Sequence, residues 1–301
     1  TGERLPDDSH TAESALQHGL VDEIVAPSEI RNHVSRFLGP PQGGWSVLAG
    51  QQLRGDDAPT GGDSWNEVLL ARDEKRPTGA DYMPGGTILG RGGTDASVLV
   101  SVADDWFKHN RPVFIAQNRF AGTGRTRPGG YARARRAIDF AVRFSRPIVT
   151  LIDTPGADPS ADSEAEGIAR EISKTFNALL NAPVPTVAIC VGEGGSGGAL
   201  AFAACDVLLI LEHSIFSVIA PEGAGAILRR SDLESVAGEL RLTAHDLKEF
   251  GLADRVIAEP PGGTQADPHR AIEMINVAIS LALDGMTSPT ERRLERWRVY
   301  R

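Results

Sequence analysis

The chain has 301 residues and a formal net charge of -9 at pH 7, which disfavours nucleic-acid binding by the chain as a whole. Hydrophobic residues make up 41% and charged residues 24%, so wholesale disorder is excluded. Its two cysteines, Cys190 and Cys205, stand in apolar runs, which argues against a disulfide framework and against a metal site of the zinc-cysteine type. No segment reads as a signal peptide or a membrane span, so we expect a cytoplasmic protein that binds neither nucleic acid nor membrane.

The first element along the chain is one copy of an internal repeat. Thr11-Ala12, Gly19-Leu20, Asp22 and Ile24-Val25 reappear without a gap as Thr243-Ala244, Gly251-Leu252, Asp254 and Val256-Ile257. Each copy predicts a short helix that Thr opens and Gly closes, followed by a strand. The second copy ends a long α/β pattern. We therefore expect residues 1–38 to be the end of an equivalent domain whose earlier part lies outside this sequence.

Residues 39–64 are rich in Gly, Pro, Gln and Asp and have little apolar periodicity. This composition is typical of a linker between domains, although a structural crossover loop is the alternative interpretation. Residues 65–301 are then expected to form the main domain.

Apolar runs and amphipathic segments alternate beyond residue 64. The runs that predict buried strands are Val98–Val102, Val113–Gln117, Ile148–Ile152, Thr186–Val191, Val207–Leu211 and Ile215–Ile219. Helical faces are predicted at Tyr131, Ala134, Ile138 and Val142, and at Ile168, Ile172, Phe176 and Leu179 in a helix opened by Asp162; further helices are predicted at Pro268–Asp284 and Ser288–Tyr300. Repeated strand, helix, strand units predict an α/β fold with a parallel sheet under helical cover.

Two polar loops come directly after predicted strands. The first reads Asp153-Thr154-Pro155-Gly156-Ala157, and the second runs from Gly192 through Glu193 and a glycine-rich stretch to Leu200, where an apolar helix begins. Open α/β sheets bind their ligands at the carboxyl ends of strands, so both loops are candidate parts of a functional site.

Three chemistries compete for these loops. A nucleotide triphosphatase is excluded because the chain has no Gly-rich loop ending in Gly-Lys-Ser/Thr. A serine hydrolase would use Ser196 within Gly194 to Gly198 as the nucleophile of a Gly-x-Ser-x-Gly motif, with a base among the downstream histidines His213, His245 and His269. In the third interpretation the N–H groups of Gly197, Gly198 and Ala199, unpaired in the first turn of a helix, stabilise an oxyanion.

Charged residues outside the loops allow two interpretations each. Between Arg111 and Arg146 stand nine arginines and a single acidic residue, so this segment is expected to lie near an anionic ligand or an acidic partner. Arg133 and Arg136 are the candidate phosphate ligands, and a solvated helix face is the alternative. We expect Glu193 and Glu222 to cap helices or pair with arginines rather than to act in catalysis. No acid or cysteine stands near His109 and His213 at metal-ligand spacing, so no metal site is predicted.

Several motifs, taken in order, resemble the alpha subunit of bacterial acetyl-coenzyme A carboxylase carboxyltransferase. They are Arg76-Pro77 with Asp81-Tyr82, Asp153 to Ala157, Glu164 to Gly167, Gly192 to Leu200, Ser217-Val218-Ile219 with Pro221-Glu222-Gly223, and Glu259-Pro260 with Gly262-Gly263. The resemblance covers roughly Glu67 to the C-terminus. Residues Thr1 to Phe37 resemble the end of the beta subunit, so the whole sequence resembles part of a beta-alpha fusion.

The resemblance implies a crotonase-like (ClpP/crotonase) superhelix of ββα units with C-terminal helices. It implies carboxyl transfer from biotin, carried on the biotin carboxyl carrier protein, to acetyl-coenzyme A, giving malonyl-coenzyme A for fatty acid synthesis. A beta-type carboxyltransferase domain would be a partner in a homo- or hetero-oligomer. Gly197, Gly198 and Ala199 would form the biotin-side oxyanion hole, and Gly156, Ala157, Gly194 and Gly195 would bind substrate. Alternatives are a serine esterase and a non-catalytic scaffold subunit.

Two departures from the family pattern concern the contacts to coenzyme A. The family usually has a His-Gly-Asp-Arg stretch where this chain reads Leu89-Gly90-Arg91-Gly92-Gly93-Thr94-Asp95, and the loop between Gln117 and Tyr131 is shorter. We expect loss of activity or a different acyl chain as the possible consequences. At Gly198, a side chain is expected to occupy the place of the substrate's carbonyl oxygen.

Overall fold

The computed structural model describes residues 11–38, 63–90, 95–104, 111–284, 286, 291 and 293–294. Helices α1 (Ala12–Gln17) and α2 (Ile30–Leu38) come first, and α3 (Ser64–Ala71) begins where the predicted linker ends. Most of that linker, residues 39–62, lies outside the described residues. A short 3-10 helix comes next at Gly79–Tyr82.

One mixed sheet forms the centre of the described structure. Its strands are β1 (Gly86–Leu89), β2 (Val98–Ala103), β3 (Val113–Gln117), β4 (Ile148–Thr154), β5 (Thr186–Gly195), β6 (Val207–Leu211), β7 (Ile215–Ser217) and β8 (Arg255–Ile257). The spatial order is β1-β2-β3-β4-β5-β6-β8, and β7 pairs with the end of β5. The strand pairs from β3–β4 onwards are parallel, as predicted. The pairs β1–β2 and β2–β3 are antiparallel. The link from Ala103 to Val113 is too short for the crossover that a parallel pair requires.

Helices cover both faces of the sheet. They are α4 (Pro128–Arg143), α5 (Ala161–Ala165), α6 (Ile168–Leu180), α7 (Ser196–Ala203), α8 (Pro221–Leu228), α9 (Leu233–Leu240), α10 (Ala244–Glu249) and α11 (Pro268–Asp284). Along β4, Ile148 and Ile152 pack towards α4, α6 and α7, whereas Val149 and Leu151 pack towards α11. A sheet covered on both faces explains why its strands are continuous apolar runs.

Most of the elements predicted from periodicity are confirmed. The α4 face is buried at Tyr131, Ala134 and Ile138. The predicted helix from Asp162 is divided into α5 and α6 at Gly167, whose φ is 80°. Of the predicted helix at Ser288–Tyr300, Glu291, Arg293 and Leu294 are described, and they are helical.

Both cysteines are buried free thiols. Among the described residues, no helix has both the length and the apolar character needed to cross a bilayer.

The two predicted loops are partly strand. Asp153 and Thr154 end β4, and Gly192 to Gly195 continue β5 instead of leaving the sheet. The reason is β7, which pairs with Glu193–Gly195 and gives this glycine-rich stretch a backbone partner. The strand predicted at Ile215–Ile219 correspondingly ends at Ser217.

The two copies of the repeat share local structure but differ in burial. Thr11 and Thr243 both accept a hydrogen bond in the first helical turn, and Gly19 and Gly251 both close the helix with positive φ. In the second copy Asp254 accepts from the N–H of Leu208 at 2.7 Å and anchors β8. The strand predicted for the first copy is absent from the described residues 22–25, and exposed apolar side chains stand in and just before this segment: Leu20, Val21 and Ile24.

Arg293 ties the C-terminal region to the sheet. Its guanidinium donates to both carboxylate oxygens of Asp206, at 3.1 and 3.0 Å, and to the carbonyls of Ala182 and Val184 at 2.9 and 3.0 Å. Both Arg293 and Asp206 are fully buried. Arg293 therefore joins the C-terminal region to the segment that follows α6 and, through the ion pair, to the start of β6.

We expect Arg293→Ala to lower the free energy of unfolding by about 3–5 kcal/mol, because it removes the buried guanidinium that neutralises the Asp206 carboxylate. The matched control is Arg270→Ala, which removes an exposed pair with Glu273 and should cost less than about 1 kcal/mol. Urea unfolding of the three proteins measures both values. Equal losses in the two variants would contradict a special contribution from burial.

Candidate active site

The ends of β4 and β5 meet the first turn of α7 in unusually close backbone contact. A Cβ on Gly195 would lie 2.4 Å from the carbonyl carbon of Pro155, and a Cβ on Gly198 would lie 2.6 Å from the N of Ala157. No side chain fits at these separations, so glycine is required at both positions. The contact holds the start of α7 directly against the backbone of Gly156 and Ala157.

Unpaired N–H groups are presented at the start of α7. Ser196 has a positive φ of 51°, which turns the chain out of β5 and into the helix. The N–H groups of the first turn have no carbonyl one turn earlier in the helix, and the helix dipole adds partial positive charge there. Gly198 and Ala199 are buried, whereas Gly197 is only partly buried. Gly197 is therefore the residue of the predicted oxyanion hole that faces open space.

A cavity of about 360 Å³ adjoins this turn. Ser196 and Gly197 form part of its wall, and the remaining lining is mainly apolar: Leu200, Ala203, Leu208, Phe216, Ser217, Val218, Leu240, Arg241, Leu247, Phe250 and Leu252. A mainly apolar cavity with a few convergent polar groups is the usual form of a small-molecule site. The cavity and the start of α7 together form the candidate active site.

The reason for glycine at position 198 differs from the expected one. Its absent Cβ points at the backbone of Gly156 and Ala157, not into the cavity. A larger residue there would force α7 away from the end of β4 rather than occupy the substrate's place. At Gly197 the nearest atom to an added Cβ is a methyl carbon of Ile172 at 3.7 Å, which is ordinary van der Waals contact.

Alanine substitutions at these neighbouring glycines should therefore have opposite effects. Gly198→Ala should lower the free energy of unfolding by about 1–3 kcal/mol through overpacking. Gly197→Ala should leave it unchanged or raise it by up to about 1 kcal/mol, since an L residue fits and the unfolded chain loses freedom. Thermal and urea unfolding of both variants measure the difference. A Gly198→Ala variant as stable as the native protein would contradict the close approach.

Two polar side chains support the turn, one of them, Gln117, outside the sequence motifs. Gln117, at the end of β3, donates from Nε2 to the carbonyl of Gly198 at 3.1 Å. The hydroxyl of Thr154 accepts from the N–H of Gly156 at 3.1 Å. Their position at the ends of predicted strands was the available signal, since ligand sites of α/β sheets are built there.

Buried carboxylates lie behind the glycine strand. Asp153 is 1% and Glu193 is 3% exposed. Arg72 donates to both oxygens of Glu193, at 3.0 and 2.6 Å, and to Glu222 at 2.7 Å. Pairing with arginine, expected for both glutamates, is thus confirmed. Arg119 lies 3.8 Å from Asp153 and 3.9 Å from Glu193.

Burial raises the pKa of Asp153 to about 7, despite the nearby Arg119 guanidinium and a hydrogen bond from the Glu193 N–H that favour the charged form. The folded protein thus binds this proton more tightly than the unfolded chain does. By linkage, the group makes the free energy of unfolding fall as the pH rises from about 4, the unfolded value, to about 7.

Asp153→Asn should remove this fall, so the variant should gain stability relative to the native protein across that pH interval. Asp232→Asn is the control, because an exposed pair with Arg230 lowers the pKa of Asp232 to about 2 and places its contribution at lower pH. Urea unfolding between about pH 4 and pH 8 tests both variants. If the free energies of unfolding of Asp153→Asn and the native protein differed by the same amount at every pH in this range, the raised pKa of Asp153 would be refuted.

Comparison with known proteins identifies the family. Residues 109–301 match the family model described as acetyl co-enzyme A carboxylase carboxyltransferase-like. The alpha subunit of acetyl-coenzyme A carboxylase carboxyl transferase from Acidiphilium cryptum (strain JF-5) is 38% identical over 239 residues, covering 74% of this chain and 75% of that protein. The chain belongs to the acetyl-coenzyme A carboxylase carboxyltransferase family.

Within the family, the chain is also similar to beta/alpha fusions. The fused protein of Salinispora arenicola (strain CNS-205) is 38% identical over 306 residues, which are 93% of this chain but 54% of that protein. The chain therefore spans about half the length of these fused relatives.

Solved structures show the same fold. The transcarboxylase 12S hexamer, with methylmalonyl-coenzyme A bound, superposes with a TM-score of 0.70 at 16% identity over 94% of this chain and 56% of that one. A Pseudomonas malonate decarboxylase hetero-tetramer in complex with coenzyme A gives a TM-score of 0.58 at 19% identity, covering 68% of this chain and 86% of that one. The expected crotonase-like α/β fold is thus confirmed.

The serine-hydrolase interpretation lacks a base in this carboxyltransferase fold. Ser196 is exposed, and within the described residues its hydroxyl makes no hydrogen bond. His213 instead contacts Glu67 through Nδ1 at 2.9 Å. His245 and His269 are exposed. In the described part of the carboxyltransferase chain, none of these histidines forms the Ser-His pair that activates a nucleophile.

The predicted phosphate ligands lie on α4, some distance along the chain from the glycine turn. Arg133 donates to the carbonyls of Asp95 and Val98, each at 2.6 Å, and Arg136 donates to Asp22 at 2.8 Å. Both line a cavity of about 340 Å³ between α4 and residues 22–33. Their role in substrate binding stays a prediction. Among the described residues, no cluster of three metal-binding side chains is found.

Proposed function

We propose that this chain is the part of a biotin-dependent acetyl-coenzyme A carboxylase that binds carboxybiotin and transfers its carboxyl group to acetyl-coenzyme A, giving malonyl-coenzyme A. The observation that carries the proposal is the start of α7. There Gly197 lines a mainly apolar cavity while the backbone of Gly156 and Ala157 holds the turn in place. This arrangement suits a neutral, largely apolar ring that develops negative charge on one oxygen.

The chain's own residues supply binding and electrostatic stabilisation. When bound, carboxybiotin supplies carbon dioxide and a ureido nitrogen that takes the α-proton of the acetyl group; the resulting enolate carbon then forms the new bond to carbon dioxide. Gly197, which lines the cavity, is the donor best placed to stabilise the charge that builds up on the ureido oxygen, and the N–H groups of the buried Gly198 and Ala199 add to the positive end of the helix dipole beside it. Removal of one such donor typically lowers the rate about 10²–10³-fold. The apolar cavity wall limits the access of water, which strengthens these hydrogen bonds.

The partner that fits this chain is a beta-type carboxyltransferase domain. The first copy of the repeat matches the second in its caps but leaves exposed the apolar residues Leu20, Val21 and Ile24. In the second copy the equivalent segment is held by β6. We propose that residues 1–38 complete the sheet of the beta-type domain, which presents acetyl-coenzyme A across a shared cleft. Such an assembly brings the two reacting carbons to near-attack distance.

This split-site arrangement predicts that the chain forms no malonyl-coenzyme A alone and gains activity when mixed with a beta-type domain and carboxylated biotin carrier. Ser196→Ala should keep most of the activity, because the backbone amides do the work. The assay follows malonyl-coenzyme A by mass spectrometry with a set of acyl-coenzyme A thioesters. Heat-treated partner domain is the control for mixing.

Two results would contradict the proposal. One is full malonyl-coenzyme A synthesis by this chain alone. The other is labelling of Ser196 by an organophosphate together with loss of function, which the serine-esterase alternative requires. A mixture that binds its partner but is inactive with every thioester would instead support the non-catalytic scaffold.

A further inference from the structure

Strand β5 contains an irregularity just before the active-site turn. Its first half pairs regularly with β4, as far as Cys190 opposite Ile152. The next pair is Gly194 opposite Thr154, so β5 advances four residues while β4 advances two. Extra residues on one strand form a bulge, which bends the strand and changes the direction of the chain beyond it. Here the chain beyond the bulge consists of Gly195 and the start of α7.

Strand β7 pairs with Glu193–Gly195, and side chains hold the remaining backbone groups of this bulge. The carbonyl of Val191 accepts from Nε of Arg76 at 2.9 Å. The N–H of Glu193 donates to the Asp153 carboxylate at 3.2 Å. Arg76 is in turn held by Glu259, to which it donates at 2.9 Å. The course of β5 between Cys190 and the end of the bulge therefore depends on a small number of charged groups in addition to the pairing with β7.

Arg72 connects the bulge to two helices. It is the C-cap residue of α3, and its guanidinium donates through Nε and Nη2 to Glu193 and through Nη1 to Glu222 in the first turn of α8. The bidentate geometry fixes the direction as well as the distance of the Glu193 carboxylate. Only three residues separate Glu193 from Gly197, and the glycine nearest the helix, Gly195, is pressed against Pro155. A displacement of the Glu193 backbone would therefore be passed on to Gly197, because the short segment between them cannot adjust.

We propose that Arg72 and Glu193 are positioning residues, whose ion pair holds the bulge of β5 and thereby aims the N–H groups at the start of α7. The inference rests on the proposed function, since it names how that site is held. Neither side chain lines the cavity beside Gly197. The pair acts through the backbone and contacts no reacting atom. A misplacement of about 1 Å at a reacting group can cost about 10²-fold in rate, which makes such a device consequential.

The test must separate positioning from stability, because loss of Arg72 alone would leave the buried Glu193 carboxylate near Asp153 with the more distant Arg119, 3.9 Å away, and would destabilise the fold by itself. The double variant Arg72→Met/Glu193→Gln removes both charges, so the melting temperature should recover relative to Arg72→Met. Arg72→Lys keeps the charge but loses the bidentate fork. Arg230→Met is the matched control, since Arg230 pairs with Asp232 and Glu239 at the surface.

In the complex with the beta-type domain and biotin carrier, we expect Arg72→Met to lower kcat about 10²-fold with an unchanged KM for acetyl-coenzyme A. Arg72→Lys should fall between this variant and the native protein. The double variant should regain its melting temperature but not its kcat. Hydrogen exchange of the amides of residues 193–198 should be faster in Arg72→Met and in the double variant, and unchanged in Arg230→Met.

A double variant that regains both melting temperature and kcat would overturn the proposal, because the pair would then contribute only to stability. Unchanged hydrogen exchange at residues 193–198 in the double variant would overturn it too. Failure of the proposed function gives a different result: the native complex itself would form no malonyl-coenzyme A. The exchange measurement would still decide whether the ion pair positions the turn.

Discussion

The rest of the site depends on the close backbone contact between the first turn of α7 and the end of β4. With the Cβ position of Gly198 only 2.6 Å from the N of Ala157, the helix reaches β4 without any intervening side chain. This separation brings two strand ends and a helix N-terminus to one point, where Ser196 and Gly197 form part of the wall of the mainly apolar cavity. A site made of backbone donors needs this precision more than it needs particular side chains.

The close approach of α7 to the ends of β4 and β5 leaves carboxylates buried behind the site. The strands that converge on the turn carry buried carboxylates, and each buried charge is costly unless it is paired. Arg72, Arg76 and Arg119 meet that need by bridging between strands and helices, so one set of arginines both neutralises the carboxylates and holds the irregular part of β5. Asp153 has the weakest compensation, as its raised pKa shows. The arginines near the site therefore serve the fold's geometry rather than a solvent-exposed surface.

Sequence periodicity was sufficient to predict the strands from Val113 to Leu211 and the helix α11. Strands that are buried on both faces of a sheet consist of continuous apolar runs, which can be recognised in the sequence. The glycine-rich stretch after a predicted strand pointed to Gly197, Gly198 and Ala199 as the oxyanion hole, and that role stays a prediction. Sequence periodicity could not predict that Gly192 to Gly195 stay in the sheet, since glycine-rich sequence resembles loop and the partner strand β7 has only three residues. The half-buried strand β1 was missed for lack of a strong alternation. The pairing of Arg72 with Glu193 spans 121 positions, which no local pattern records.

The repeat shows where local sequence stops and tertiary structure begins. Helix caps depend on residues within one turn, so Thr11 and Gly19 reproduce the caps of Thr243 and Gly251 without help from the rest of the fold. A strand needs a neighbour to bond with. Residues 255–257 find β6, whereas the equivalent residues 23–25 have no strand beside them among the described residues and remain irregular. The two similar sequences therefore form the same helix caps, but only the second copy forms a strand. The contribution that a neighbouring strand makes to strand formation is the difference between the two copies.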